Sequence, residues 1–104
     1  MPQLIQTAAF EILTWRSAAN VTDQAMIQAM QAFSEDVQQL PGFLQQSLYK
    51  NAANDWVCIY YWQTEQQAHE SNAAVADKNR FLQLMALIEP DSVTMEVMSP
   101  LQSC

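Results

Sequence analysis

The chain has a single glycine, Gly42, so the paired glycines of a phosphate-cradling or dinucleotide-binding turn cannot be assembled from it. It has one histidine, His69, and two cysteines, Cys58 and Cys104, and no carboxylate cluster stands beside them at ligand spacing. No zinc or iron site, no disulfide framework and no bound cofactor are therefore expected. Neither a nucleophile elbow nor a Ser/His/Asp arrangement is present. Four basic residues, Arg16, Lys50, Lys78 and Arg80, face eleven acidic ones for a formal charge of −7. They are scattered, not gathered into a stripe, which argues against nucleic acid and anionic membrane surfaces as partners. No run approaches the roughly 18 consecutive apolar residues of a membrane-spanning helix. Met1-Pro2-Gln3-Leu4-Ile5-Gln6 lacks the basic and apolar segments of a secretory signal, so a cytoplasmic protein is expected.

Apolar residues, by contrast, make up 50% of the 104-residue chain while only 14% is charged. The length suits one domain over residues 1–104, and the apolar share favours a buried oligomer interface, a dimer by default. The densest stretch is Trp56-Val57-Cys58-Ile59-Tyr60-Tyr61-Trp62. Strand alternation puts Trp56, Cys58, Tyr60 and Trp62 on one face and Val57, Ile59 and Tyr61 on the other. The Val57/Ile59 side is expected to pack against helices. The aromatic side would then line a pocket for a planar organic ligand, or else form an ordinary aromatic core or subunit interface. Cys58 reads as a small buried apolar side chain.

Thr7 to Arg16 alternates as a first strand, with Phe10, Ile12 and Thr14 against Glu11, Leu13 and Trp15. Asn20 or Thr22 can cap a helix from about Asp23 to Gln39, whose Met26, Met30, Phe33, Val37 and Leu40 form one apolar stripe. Pro41-Gly42 stops it. Phe43 to Lys50 is a second strand, joined to the aromatic strand by the polar loop Asn51-Ala52-Ala53-Asn54-Asp55. Thr64-Glu65-Gln66-Gln67 matches a capping box for a helix reaching about Val75. A further helical stripe runs from Arg80 to Ile88, and Val93 to Met98 alternates as the last strand before a short tail, Pro100 to Cys104. This order is the split βαβ arrangement. It predicts an α+β, ferredoxin-like βαββαβ fold, a four-stranded antiparallel sheet with both helices on one face. The other face would be bare in a monomer, and a second copy of the chain would cover it.

The element order, the Pro41-Gly42-Phe43 step, and the Trp56…Tyr61-Trp62 strand running into an Ala68-His69 helix together resemble the antibiotic-biosynthesis-monooxygenase-like domains of the dimeric α/β-barrel superfamily. The likeness spans roughly Phe10 to Met98. It implies a homodimer whose two sheets face each other, with a ligand cavity between sheet and helices or inside the barrel. The superfamily includes cofactor-free oxygenases of polycyclic phenols, haem-degrading enzymes and quinol-related oxygenases, so membership alone leaves function open. The haem-degrading branch fits least: Thr14 stands where that branch has Asn, Ser71 where it has Trp, and no histidine follows Phe81. The phenol-oxidising branch lines its cavity with Trp and polar residues, a role that Trp15, Tyr60, Trp62 and His69 can fill.

Three candidate catalytic residues follow from the residue chemistry. His69 is the one side chain that ordinarily titrates near neutrality, and acts as a base if it points inward. Glu11 and Glu96 each stand mid-strand opposite aliphatic neighbours. They are expected on one sheet face away from the helices, where desolvation and like charge would raise a carboxyl pKa toward that of a general base. Otherwise they sit on a wet face or pair with Arg16 or Lys50. Trp15, Tyr49, Trp56, Tyr60 and Trp62 are the candidate substrate-binding residues. The reading is a small-molecule-binding homodimer acting as a cofactor-independent monooxygenase on a planar phenolic or quinol-like substrate. The alternative is a non-catalytic ligand-binding or stress-related module whose aromatics fill the dimer core.

Overall fold

Threonine side chains start both longer helices. In the computed structural model, which describes residues 9–102, the Thr22 hydroxyl accepts from the Ala25 amide at 3.1 Å and opens α1, Asp23–Val37. Asn20 was the other candidate cap, but its φ of 68° places it in the left-handed turn before the helix. Thr64 accepts from the Gln67 amide at 3.1 Å and opens α2, Glu65–Val75. The reciprocal half of the expected capping box is not made, because Gln67 Oε1 is buried without a hydrogen-bond partner against Gly42. The third helix, α3, spans Asn79–Met85 with no side-chain cap. It is fastened to α1 by Arg80, which pairs with Glu35 at 3.2 Å, and by the tilted Phe33–Phe81 ring contact.

The strands are β1 (Ala9–Trp15), β2 (Phe43–Lys50), β3 (Trp56–Trp62) and β4 (Thr94–Met98). All pair antiparallel in the order β2-β3-β1-β4, giving the ferredoxin-like α+β arrangement with the helices on one side. Strands β2 and β3 have the expected bounds. Helix α1 stops two residues before the expected Gln39, because Gln39 and Leu40 turn back to Asp36 and Val37 in tighter bonds. Helix α3 likewise stops at Met85, and Ile88 leaves it to bridge Ser17 at the end of β1. A single 3-10 turn, Pro90–Ser92, leads into β4. Thr7 and the tail's Cys104 lie outside the described residues. No helix among the described residues is long and apolar enough to cross a membrane.

The assignment of sheet faces differs from the sequence expectation. Alternation holds, but Ala9, Glu11 and Trp15 of β1 and Trp56, Cys58, Tyr60 and Trp62 of β3 are all buried, beneath the helices. Phe10, Ile12, Thr14, Val57, Ile59 and Tyr61 lie on the opposite, helix-free face, where Phe10 and Tyr61 meet edge to face with centroids 4.8 Å apart. The physical reason is volume. A sheet-to-helix gap of about 10 Å is filled by broad rings, each burying about 150–250 Å², whereas β-branched side chains leave a flatter surface. A bulge between Phe43 and Gln45 keeps Phe43 on the helix side, where it packs edge-on against Trp62.

Gly42 joins α1 to β2 with φ +83°, and a Cβ there would stand 1.9 Å from Gln67 Oε1. Left-handed strain alone costs about 1–2 kcal/mol for a residue with a side chain. Gly42→Ala is therefore expected to lower the urea midpoint by a stability loss of at least that size, with the denaturant slope unchanged.

Candidate functional site

A carboxylate in mid-strand is the least expected side chain beneath a helix layer, and Glu11 occupies that place. It is 2% exposed, and its direct cross-strand neighbours are Tyr60 of β3 and Val97 of β4. An ionised carboxylate survives such burial only when hydrogen-bond donors reach it. Trp62 supplies one: its indole Nε1–H donates to Glu11 Oε1 at 3.0 Å. Helix α2 packs over it. Its inner face carries Ala68, Ser71 and Val75, all small or β-branched and all buried, which brings its backbone close to the sheet. On that helix Asn72, whose Nδ2 donates to the Ala68 carbonyl at 3.4 Å, and the exposed His69 favour the ionised carboxylate. Burial pushes the Glu11 carboxyl above its ordinary value of 4.5, and Trp62, Asn72 and His69 each pull it back without cancelling the rise.

Two further titratable groups stand on the same strand face. Burial pushes the Cys58 thiol up to about 11, and its sulfur accepts a long contact from Gln46 Nε2 at 3.6 Å. The Tyr60 phenol is also held well above its usual 10, chiefly by burial. Both therefore stay protonated at neutral pH. Tyr60 is a neutral hydrogen-bond donor beside a carboxylate, and Cys58 is a poor nucleophile.

The structure thus brings together Glu11, Tyr60 and Trp62, whereas His69 is exposed on α2 and does not point inward as a base would need to, because the buried face of that helix is Ala68, Ser71 and Val75. Trp15, also beneath the helices, is buried and its Nε1 has no hydrogen-bond partner. Trp56 sits at the far end of β3, its Nε1 donating to Ser17 Oγ at 2.9 Å and its ring under Lys50 Nζ, 4.5 Å from the centroid. There it lines a groove of about 340 Å³ between α1 and β2, with Met30, Leu48, Tyr49 and Lys50. Tyr49 is exposed and belongs to the helix-free side of β2.

Glu96 does not join Glu11. It pairs across from Ile12 and is exposed on the helix-free face, so the two glutamates lie on opposite sides of the sheet. Parity within each strand holds. Phe10 and Ile12 do not need the helices as Val97 does, and lie on the opposite face from it. Neither glutamate pairs with Arg16 or Lys50, which bind Glu89 and Asp23 instead. No sequence motif marks Asn72, although its place four residues after Ala68 and one after Ser71 puts it near the buried face of α2. Among the described residues no three His, Cys, Asp or Glu side chains converge as a metal site.

Removing the indole donor isolates its effect on the carboxyl. Trp62→Phe keeps an aromatic ring in the core but deletes the N–H, so the Glu11 pKa is expected to rise further. Carboxyl carbon NMR of the two proteins across the acid range reads that shift directly.

No family sequence model matches the chain, and no curated protein matches it. Solved structures do. SnoaB, a cofactor-independent oxygenase from Streptomyces nogalater, superposes with a TM-score of 0.76 over 93% of this chain and 96% of its own, at 13% identity. A candidate antibiotic biosynthesis monooxygenase from Nitrosomonas europaea gives 0.73 over 95% and 96%, at 12% identity. Rv0793 from Mycobacterium tuberculosis gives 0.71 over 92% and 97%, at 16% identity. The likeness is one of fold: the chain shares the ferredoxin-like α+β architecture of these proteins along nearly its whole length.

Proposed function

We propose that the chain is a single-domain, cytoplasmic homodimer that oxidises a planar phenolic or quinol-like substrate with molecular oxygen and without a cofactor. Glu11 is the proton acceptor. The observation that carries this reading is the buried Glu11 carboxylate, which accepts the Trp62 indole hydrogen bond and whose charge Asn72 and the exposed His69 of α2 favour. A carboxyl raised above its usual range is a stronger base once ionised, and burial keeps water from competing for the proton.

The step suited to this arrangement begins with Glu11 taking a proton from the activated carbon of an anthrone or the hydroxyl of a hydroquinone. The resulting anion is stabilised by a neutral donor in a low-dielectric setting, a role the Tyr60 phenol can fill. For a methylene carbon the electrons pass to dioxygen. One oxygen atom stays on carbon as a carbonyl, the other leaves as water, and the two carbon-bound hydrogens end in that water. The balance is CH₂ + O₂ → C=O + H₂O, and nothing beyond oxygen is consumed. The likeness to SnoaB supports this chemistry through the fold.

The homodimer reading rests on the helix-free face, where Phe10, Ile12, Val57, Ile59 and Tyr61 form an apolar centre flanked by Ser47, Tyr49 and Thr94. Trp15, Trp56, Tyr60 and Trp62, first expected on that surface, are core residues of the monomer instead.

Oxygen uptake and product mass with ¹⁸O₂, over a panel of hydroquinones and anthrones and with no cofactor added, tests the reaction. One labelled atom in the product is expected. Ligands that bind without oxygen uptake would leave a binding module and refute the enzyme.

A further inference from the structure

One residue pair along the sheet from Glu11 lies a small apolar cavity of about 60 Å³. Tyr60, the cross-strand neighbour of Glu11, and Leu13, the next residue on the same face of β1, stand in its wall. Two residues of strand span about 7 Å, so the cavity adjoins the carboxylate's surroundings. Met30 of α1, Leu84 and Met85 of α3, and Ile88 just beyond that helix close it from above, and Val93, which is exposed, stands at its outer end.

Volume decides what it can hold. Organic ligands of ordinary size occupy pockets of about 300 Å³ or more. Even benzene or xenon was accommodated in an engineered cavity of about 150 Å³. At about 60 Å³ the space excludes an aromatic substrate yet exceeds what one water needs, and its wall is almost wholly apolar, so water would have few partners there. A small apolar gas fits both the size and the chemistry.

We propose that this cavity is the site from which dioxygen is delivered to the substrate anion beside Glu11. The assignment rests on the oxygenase reading above, because only a reaction that consumes oxygen gives the cavity a use. It divides the site into two compartments. In that reading the organic molecule reacts at Glu11, and oxygen waits behind Tyr60 against an almost wholly apolar wall.

Binding and use are tested separately. Under oxygen pressure, paramagnetic relaxation of side-chain methyls is expected to concentrate at Leu13, Met30, Leu84, Met85 and Ile88. Relaxation no greater there than at Met26 and Val37, which are buried core residues outside the cavity wall, would overturn the site. Leu84→Phe fills the cavity from the buried side, and Val93→Phe does so from the exposed end if the first variant folds poorly. Either is expected to raise KM for oxygen about tenfold, the lower end of what an altered apolar pocket costs its ligand. KM for the organic substrate, and kcat at saturating oxygen, should stay as in the parent. An unchanged oxygen KM in a folded, filled variant overturns the proposal while the oxygenase reading stands. Absence of turnover in the parent protein refutes the oxygenase reading and with it the cavity's use, whatever the relaxation measurement shows about gas binding.

Discussion

Glu11→Gln is expected to abolish oxygen-dependent turnover and to leave the protein more stable at neutral pH. Loss of a positioned general base costs about 10²–10⁴ in rate. Glutamine keeps a carbonyl oxygen to accept the Trp62 indole hydrogen bond, so the core around it needs little repacking. The stability change follows from linkage. Burial raises the folded carboxyl above 4.5, so the folded state holds its proton to higher pH than the unfolded chain does. The stability tied to that proton is fully present below the unfolded value and is lost as pH rises through the folded one. Each unit of rise corresponds to about 1.4 kcal/mol lost by neutral pH. Glutamine has no proton to lose. Urea denaturation of parent and variant should therefore nearly coincide at pH 4 and diverge by pH 8 in favour of the variant. Activity and stability moving in opposite directions is the signature of a strained functional group. A variant destabilised at pH 8 would instead mark Glu11 as a structural hydrogen-bond acceptor.

Ile59→Glu should convert the proposed dimer to a monomer. Ile59 sits at the centre of the helix-free face, directly across from Ile12 on β1 and Ser47 on β2. A carboxylate there would be buried unpaired against a second sheet, and Glu96, which pairs with Ile12, already places an acid on that face. The chain carries a formal charge of −7, so two copies also meet like charge. An unpaired buried charge costs about 3–5 kcal/mol, which is more than a hundredfold in dissociation constant. Sedimentation velocity at micromolar concentration reads the change. The thermal midpoint should also lose its dependence on protein concentration. A parent protein that sediments as a stable folded monomer would contradict the barrel.

Much of the fold is legible in the sequence because its signals are local. The Thr22 and Thr64 hydroxyls, the Pro41-Gly42 stop and the alternation from Trp56 to Trp62 each determine a boundary through backbone chemistry within a few residues. Which face of the sheet meets the helices is not a local property. Both faces of β3 are apolar, so hydropathy could not rank Val57 and Ile59 against Trp56 and Trp62. Side-chain volume was the usable signal, since three tryptophans and Tyr60 need the depth that only the sheet-to-helix layer provides. Glu11 misled for the same reason. A charge normally marks the wet side, and here it marks the inside because Trp62 donates to it from β3 and Asn72 and His69 of α2 favour its charge. Those partners are 51 to 61 positions away in the chain and meet Glu11 only once the fold is complete.

The central claim is that Glu11 is a buried base whose ionisation governs the reaction, and a titration of its side-chain carboxyl carbon by NMR tests it most directly. The account predicts a Glu11 pKa above 4.5 that coincides with the lower limb of the pH profile of kcat/KM for the oxidised substrate. A Glu11 that titrates at or below 4.5, or a kcat/KM that does not follow its ionisation, would contradict it.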